Sequence, residues 1–211
     1  MNQSDKIQIK KTTQIKRILF EESLRLEAVA PFLTIQYKEA SIESQLIGNY
    51  NFTNMCAAVT IGNYFKVNLT DIKGALESYQ PNNNRSQIIK KGSNNIILDA
   101  YNANPTSMKA ALESFQLMEA KNKIVILGDM FELGNFKTEE HQKIADFTLD
   151  ANFNTVLFVG NIFNEVETPF LKFKEFKALE KHLKTHNPTH STLLIKGSRG
   201  MKLERVLELL N

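Results

Sequence analysis

Ile96-Ile97-Leu98-Asp99-Ala100-Tyr101-Asn102-Ala103-Asn104-Pro105 passes from wholly apolar to polar within a few residues. Its first part reads as the end of a buried strand. Asn104 and Pro105 read as the N-cap and first position of a helix. Met108, Ala111, Leu112 and Phe115 follow at helical spacing and form its buried stripe. The result is one strand–turn–helix unit, and the chain repeats it. Further strands are expected at 123–127, ending in Gly128-Asp129, at 156–159, ending in Gly160-Asn161, and at 193–195, ending in Lys196-Gly197. Helices are expected over 138–150 and 173–183, with a last one carrying Leu203, Val206, Leu207 and Leu210. These strands are continuously apolar, as parallel strands covered on both faces are. The pattern predicts right-handed crossovers and a doubly wound α/β fold with a largely parallel, Rossmann-like sheet. Such a sheet collects the carboxyl ends of its strands at one edge, and a ligand cleft forms there.

Upstream the periodicity is different. Short strands are expected at 15–20, 33–37 and 41–46, a helix at 53–64, and a second helix opened by Thr70 or Asp71 with Ile72, Ala75, Leu76 and Tyr79 at helical spacing. Pro81-Asn82-Asn83-Asn84 then breaks the chain, which sets regions 1–84 and 85–211 apart. With 42% hydrophobic residues in 211, the chain buries a real core and bulk disorder is excluded. Lys6, Lys10, Lys11, Lys16 and Arg17 make the start basic, but Glu21, Glu22 and Glu27 offset them and the net charge is only +3. A solvated face is expected there, with no nucleic-acid or membrane partner. Cys56 is the only cysteine, so no internal disulfide forms, and its apolar neighbours mark it as a small buried hydrophobe. No apolar run approaches the roughly 20 residues of a membrane span. The N-terminus has no apolar leader core, so cytoplasmic residence is expected.

Each candidate site residue has a functional and a plain reading. Asp99 at a strand end suits ribose hydroxyls, Tyr101 offers a ring face to a base, and the Asn102 and Asn104 amides suit base edges. Equally, Asp99 and Asn104 serve as caps for the next helix. Arg85 in the interdomain break suits a phosphate clamp or is a plain surface charge. Asp129 and Glu132 suit an ammonium group or a metal, although two carboxylates without a third ligand make a weak metal centre. His141 either joins that cleft or faces solvent. Lys196-Gly197-Ser198-Arg199-Gly200 combines free backbone, a helix start and two cations, which suits a carboxylate or phosphate; otherwise it is a glycine turn. It lacks the residue order of a Walker A loop. Asn51 and Asn54 open a helix after Gly48 and either touch a base or cap the helix.

LIGNYNFTN at 46–54, NNRSQ at 83–87, LDAYNANPTSM at 98–108, ILGDMFELG at 126–134 and IKGSRGMKLE at 195–204 occur in this order. Together they resemble the Mur ligase family, and most closely its branch that adds D-alanyl-D-alanine to UDP-N-acetylmuramoyl-tripeptide. The resemblance covers most of the chain from Leu46 onward. It implies the tail of an α/β central, ATP-binding domain over 1–84, without the phosphate loop, and a C-terminal Rossmann-like ligase domain over 85–211. It also implies ATP and magnesium as cofactors, held mainly by a part of the enzyme outside this sequence, and a monomeric full-length enzyme of peptidoglycan precursor synthesis. By motif, Asn51 and Asn54 are placed near adenine, Arg85 at the ATP phosphates as the catalytic cation, Asp99 at the ribose, and Tyr101 and Asn102 beside the base. Lys196, Ser198, Arg199, Asp129 and Glu132 are placed near the incoming dipeptide. Tyr50 stands where relatives often have histidine, and Asn84 where many have glycine. A substrate acid would become an acyl phosphate and then be attacked by the dipeptide amine, and this chain alone is expected to be inactive. The rivals are a related Mur-type or folylpolyglutamate-type amide ligase, and a non-catalytic nucleotide- or peptide-binding module.

Overall fold

The computed structural model describes residues 2–3, 5–29 and 32–211. The chain divides into two compact units, Met1–Gln80 and Pro81–Asn211.

The first unit starts with a short helix α1 (Lys6–Lys11), capped by the Asp5 carboxylate, which accepts the Ile7 and Gln8 amides. β1 (Arg25–Ala28), β2 (Thr34–Tyr37) and β3 (Ala40–Glu43) form an antiparallel sheet. Leu33, Ile35 and Ile42 are fully buried there, against Met55, Cys56 and Val59 of helix α2 (Tyr50–Tyr64) and Ile72 of helix α3 (Leu69–Ser78). α3 starts earlier than expected because Asn68, not Thr70 or Asp71, is the cap; its side chain accepts the Asp71 amide at 2.8 Å. The strand expected at 15–20 does not form. Arg17 there instead donates to the carbonyls of Ile9 and Thr12, and Ile15 stays 63% exposed, so the apolar residues have no sheet to join. Cys56 is buried as expected, and burial pushes its thiol pKa up to about 11.

The second unit is a six-stranded sheet in the order β4-β5-β9-β6-β7-β8. Its strands are β4 (Gln87–Lys91), β5 (Asn94–Asp99), β6 (Lys123–Gly128), β7 (Thr155–Val159), β8 (Leu171–Phe173) and β9 (Thr192–Lys196). All neighbours are parallel except β4, which runs antiparallel to β5 at one edge. The expected largely parallel α/β sheet is therefore present. β4 and β8 escape the sequence pattern because they are edge strands: QIIKK carries two lysines in five residues and LKF has three residues.

Helices α4 (Pro105–Leu117), α5 (Lys137–Asp150) and α6 (Phe176–Thr185) complete the unit. α6 begins three residues later than expected because Phe173 belongs to β8. Side chains alternate along each strand. Ile96, Leu98, Ile124, Ile126, Leu157, Val159, Leu193 and Ile195 pack against Leu179 and Leu183 of α6 and against Leu203, Val206 and Leu210. Ile97, Val125, Leu127, Phe158 and Leu194 are buried on the other face, which α4 and α5 cover. The C-terminal segment is two 3-10 turns, Arg199–Met201 and Leu203–Glu208, rather than the expected α-helix. Lys202 between them is left-handed, with φ 50°. Leu203 and Val206 still stack inward, because residues three apart eclipse in a 3-10 helix.

Gly128 and Gly197 bring the ends of β6 and β9 close together. A Cβ on Gly197 would lie 2.9 Å from Leu203 Cδ1 and 3.1 Å from Gly128 Cα.

At the amino ends of the strands, amide side chains close the sheet. Asn94 donates to the Pro188 carbonyl and accepts the Ser191 amide, Asn122 donates to the Ser191 hydroxyl, and Asn154 accepts the Lys123 amide.

Candidate functional site

β5, β9 and β6 are neighbours, so the turns after Asp99, Lys196 and Gly128 emerge side by side; the register sets Lys196 opposite Asp99 on one side and Leu127 on the other. Five hydrogen bonds tie these strand ends and turns together.

The Lys196 ammonium, 2% exposed, donates to Asp99 Oδ2 at 2.5 Å and to the Asn102 carbonyl at 3.4 Å. Asp99 Oδ1 accepts the Ser86 amide at 3.1 Å. The carboxylate expected to face a ribose and the lysine expected to face a dipeptide thus face each other. Removing one member of such a buried pair strands the other, at about 3–5 kcal/mol.

Ser198 is 2% exposed and joins three turns. Its hydroxyl accepts the Phe131 amide at 2.9 Å and donates to the Ala103 carbonyl at 3.4 Å, while its amide donates to the Asp129 carbonyl at 3.1 Å. Asp129, 3% exposed, points toward the turn after β7, where it accepts the amides of Ile162 and Phe163 at 3.0 and 2.9 Å. Gly160 sits against this carboxylate with φ +134°, and a Cβ there would lie 2.2 Å from Asp129 Cγ. His141, fully buried, neither faces the rim nor solvent: Nε2 accepts the Met130 amide at 2.9 Å and Nδ1 donates to the Lys137 carbonyl at 2.6 Å. Burial lowers its pKa, outweighing the Asp129 and Glu140 carboxylates that raise it. Its ring also stands edge-on to Phe163, with centroids 4.5 Å apart.

What remains on the outside of the rim is Arg85, Tyr101, Asn102, Glu132 and Arg199. The Arg85 guanidinium lies 4.0 Å from the Tyr101 ring centroid and that of Arg199 lies 5.0 Å from it. Asn102 Oδ1 accepts the Ala103 amide at 2.9 Å. Glu132 is exposed, at a left-handed φ of 66°. Among the described residues no group of three His, Cys, Asp or Glu side chains gathers as a metal centre needs.

Asn51 and Asn54 lie on α2 of the first unit. Asn51 donates to the Ile47 carbonyl at 2.8 Å, and its own oxygen accepts from Asn54 Nδ2 at 2.9 Å. The residues that sequence reasoning missed are Ser86, Phe131 and Ala103, which act through backbone groups and carry no side-chain signature.

The family model described as Mur ligase, glutamate ligase domain, matches residues 84–199. UDP-N-acetylmuramoyl-tripeptide–D-alanyl-D-alanine ligase of Bacillus subtilis is 31% identical over 186 residues, which are 83% of this chain and 41% of the relative. A crystal structure of MurF from Acinetobacter baumannii is similar at TM-score 0.70 and 26% identity, covering 90% of this chain and 44% of that one. MurF ligase from Thermotoga maritima in complex with ADP shares the fold at TM-score 0.78 and 19% identity, covering 97% of this chain and 51% of that one. The chain spans about two fifths of the length of the curated relatives it matches. The family model takes in more than half of the residues, including every turn that meets at the rim, and by that measure this chain belongs to the Mur ligase family.

Proposed function

We propose that this chain is part of an ATP-dependent amide ligase that joins D-alanyl-D-alanine to UDP-N-acetylmuramoyl-tripeptide in peptidoglycan precursor synthesis. The observation that carries the reading is the meeting of three strand-terminal turns around two arginines that have no carboxylate partner among the described residues. Relatives named for this reaction, about 30% identical to the chain, support it.

ATP supplies the phosphoryl group that activates the substrate acid as an acyl phosphate. Two guanidiniums at one rim fit its phosphates, because planar forks bind oxyanions bidentately. Magnesium has no comparable fit among the described residues, and none of them is assigned as its ligand. Arg85 and Arg199 hold negative charge where the phosphoryl group and the incoming dipeptide meet. Asn102 and Glu132, both exposed, offer an amide to the nucleotide side and a carboxylate to the dipeptide ammonium. Lys196, Asp99, Ser198 and Asp129 fix the turns that carry these groups. The contribution is mostly positioning and charge neutralisation, as in other phosphoryl transfers. On this reading Asn51 and Asn54 serve the nucleotide base from the first unit, and the enzyme is a cytoplasmic monomer. No helix among the described residues is long and apolar enough to cross a membrane.

The test is a chimera in which this chain replaces the matching part of the Bacillus subtilis ligase. Phosphate release is expected only when UDP-N-acetylmuramoyl-tripeptide and D-alanyl-D-alanine are both present, and the chain alone is expected to release none. A folded chimera that turns over glutamate with a folate substrate instead would move the assignment to the rival amide ligase.

A further inference from the structure

We propose that Tyr101 is a positioning residue whose ring holds the Arg85 and Arg199 guanidiniums together as a single site for a phosphoryl oxyanion. The two arginines come from opposite ends of the unit's sequence and reach the ring by separate anchors. Arg85 lies between Asn84, whose carbonyl accepts the Tyr101 amide at 3.1 Å, and Ser86, whose amide donates to Asp99 at 3.1 Å. Asn84 and Ser86 are both left-handed, with φ 57° and 50°, so the backbone bends sharply on either side of Arg85. Arg199 follows Ser198, which the three-turn junction fixes. Both guanidiniums lie within cation–π range of the same ring, at 4.0 and 5.0 Å.

The carboxylates of the rim are held away from the two arginines. Lys196 is neutralised by Asp99, Asp129 is turned to the Ile162 and Phe163 amides, and among the described residues neither arginine has a carboxylate within ion-pair distance. Two like charges held against one ring repel each other, and a bound dianion offsets the repulsion. A phosphoryl group carries that charge, whereas a single carboxylate carries half of it. Only the natural identity of the anion rests on the ligase reading.

The test is NMR of the 211-residue chain, following the arginine Nε–Hε signals during titration with inorganic pyrophosphate and, in a parallel arm, with D-alanyl-D-alanine. Arg85 and Arg199 are expected to respond to pyrophosphate with one shared Kd. Tyr101→Leu should weaken that Kd about tenfold and Tyr101→Phe, which keeps the ring, by less than about twofold. Arg199→Gln should weaken the response of Arg85. Different Kd values for the two arginines, an unchanged Kd in Tyr101→Leu, or no response to pyrophosphate would overturn the proposal, as would tighter binding of D-alanyl-D-alanine. Shared pyrophosphate binding in a chain whose chimera releases no phosphate would uphold the ring's role and remove the ligase reading alone.

Discussion

His141 holds the turn that carries Phe131 and Glu132 while never reaching the rim. It works only when neutral, because Nε2 must accept the Met130 amide. Its pKa is lowered from the ordinary 6.5 by burial. The unfolded chain therefore binds the proton more readily than the folded one, so stability is complete above about 6.5 and is lost as pH falls from there through the lower folded value. His141→Gln keeps an acceptor and removes the titration. Between pH 7.5 and 5.5 the wild type should lose about 1 kcal/mol more stability than the variant in urea denaturation. Equal losses would mean that the ring is not held neutral. The sequence could not show this role. A histidine four residues into a helix has the same pattern whether its face is wet or dry, and the deciding contact comes from a backbone amide eleven residues away.

Elements with a strong local signal were legible. Asn104 and Pro105 announced α4, and the structure adds the reciprocal bond of a capping box, with Ser107 on Asn104. The central parallel strands were legible because burial on both faces makes them continuously apolar. β4, β8 and the final 3-10 turns were not, since edge strands carry polar residues and a 3-10 segment keeps an apolar spacing close to that of an α-helix. Two glycines show how much element packing depends on neighbours distant in sequence. Gly197→Ala should cost about 1–3 kcal/mol, since its methyl would press on Leu203 and the Gly128 backbone. Gly74→Ala, within α3 and with nothing within 4 Å of the added methyl, should instead stabilise by up to about 1 kcal/mol. Urea midpoints of the two variants check this. A neutral Gly197→Ala would mean the strand ends are not in close contact.

At the scale of the molecule, the strand order explains what the sequence placed and what it left open. Alternation of strands and helices implied a rim of turns, and Asp99, Tyr101, Asp129, Glu132, Lys196, Ser198 and Arg199 all belong to the strand ends and turns that meet there. Insertion of β9 between β5 and β6 could not be read from the pattern. That insertion faces Lys196 toward Asp99 and bonds the two to each other. It also leaves Arg85, Arg199 and Glu132 as rim charges without an ion pair among the described residues. The groove of about 590 Å³ between α4 and α5, lined by Lys109, Glu113, Glu140 and Lys143, is a separate feature of the unit.

The most direct measurement is therefore a backbone amide shift map of the chain with millimolar D-alanyl-D-alanine and pyrophosphate together. The account predicts that the largest changes fall jointly on 84–86, 99–103, 129–132 and 196–200. Changes confined to the α4–α5 groove, or to the amino ends of the strands around Asn94, Asn122 and Ser191, would contradict it.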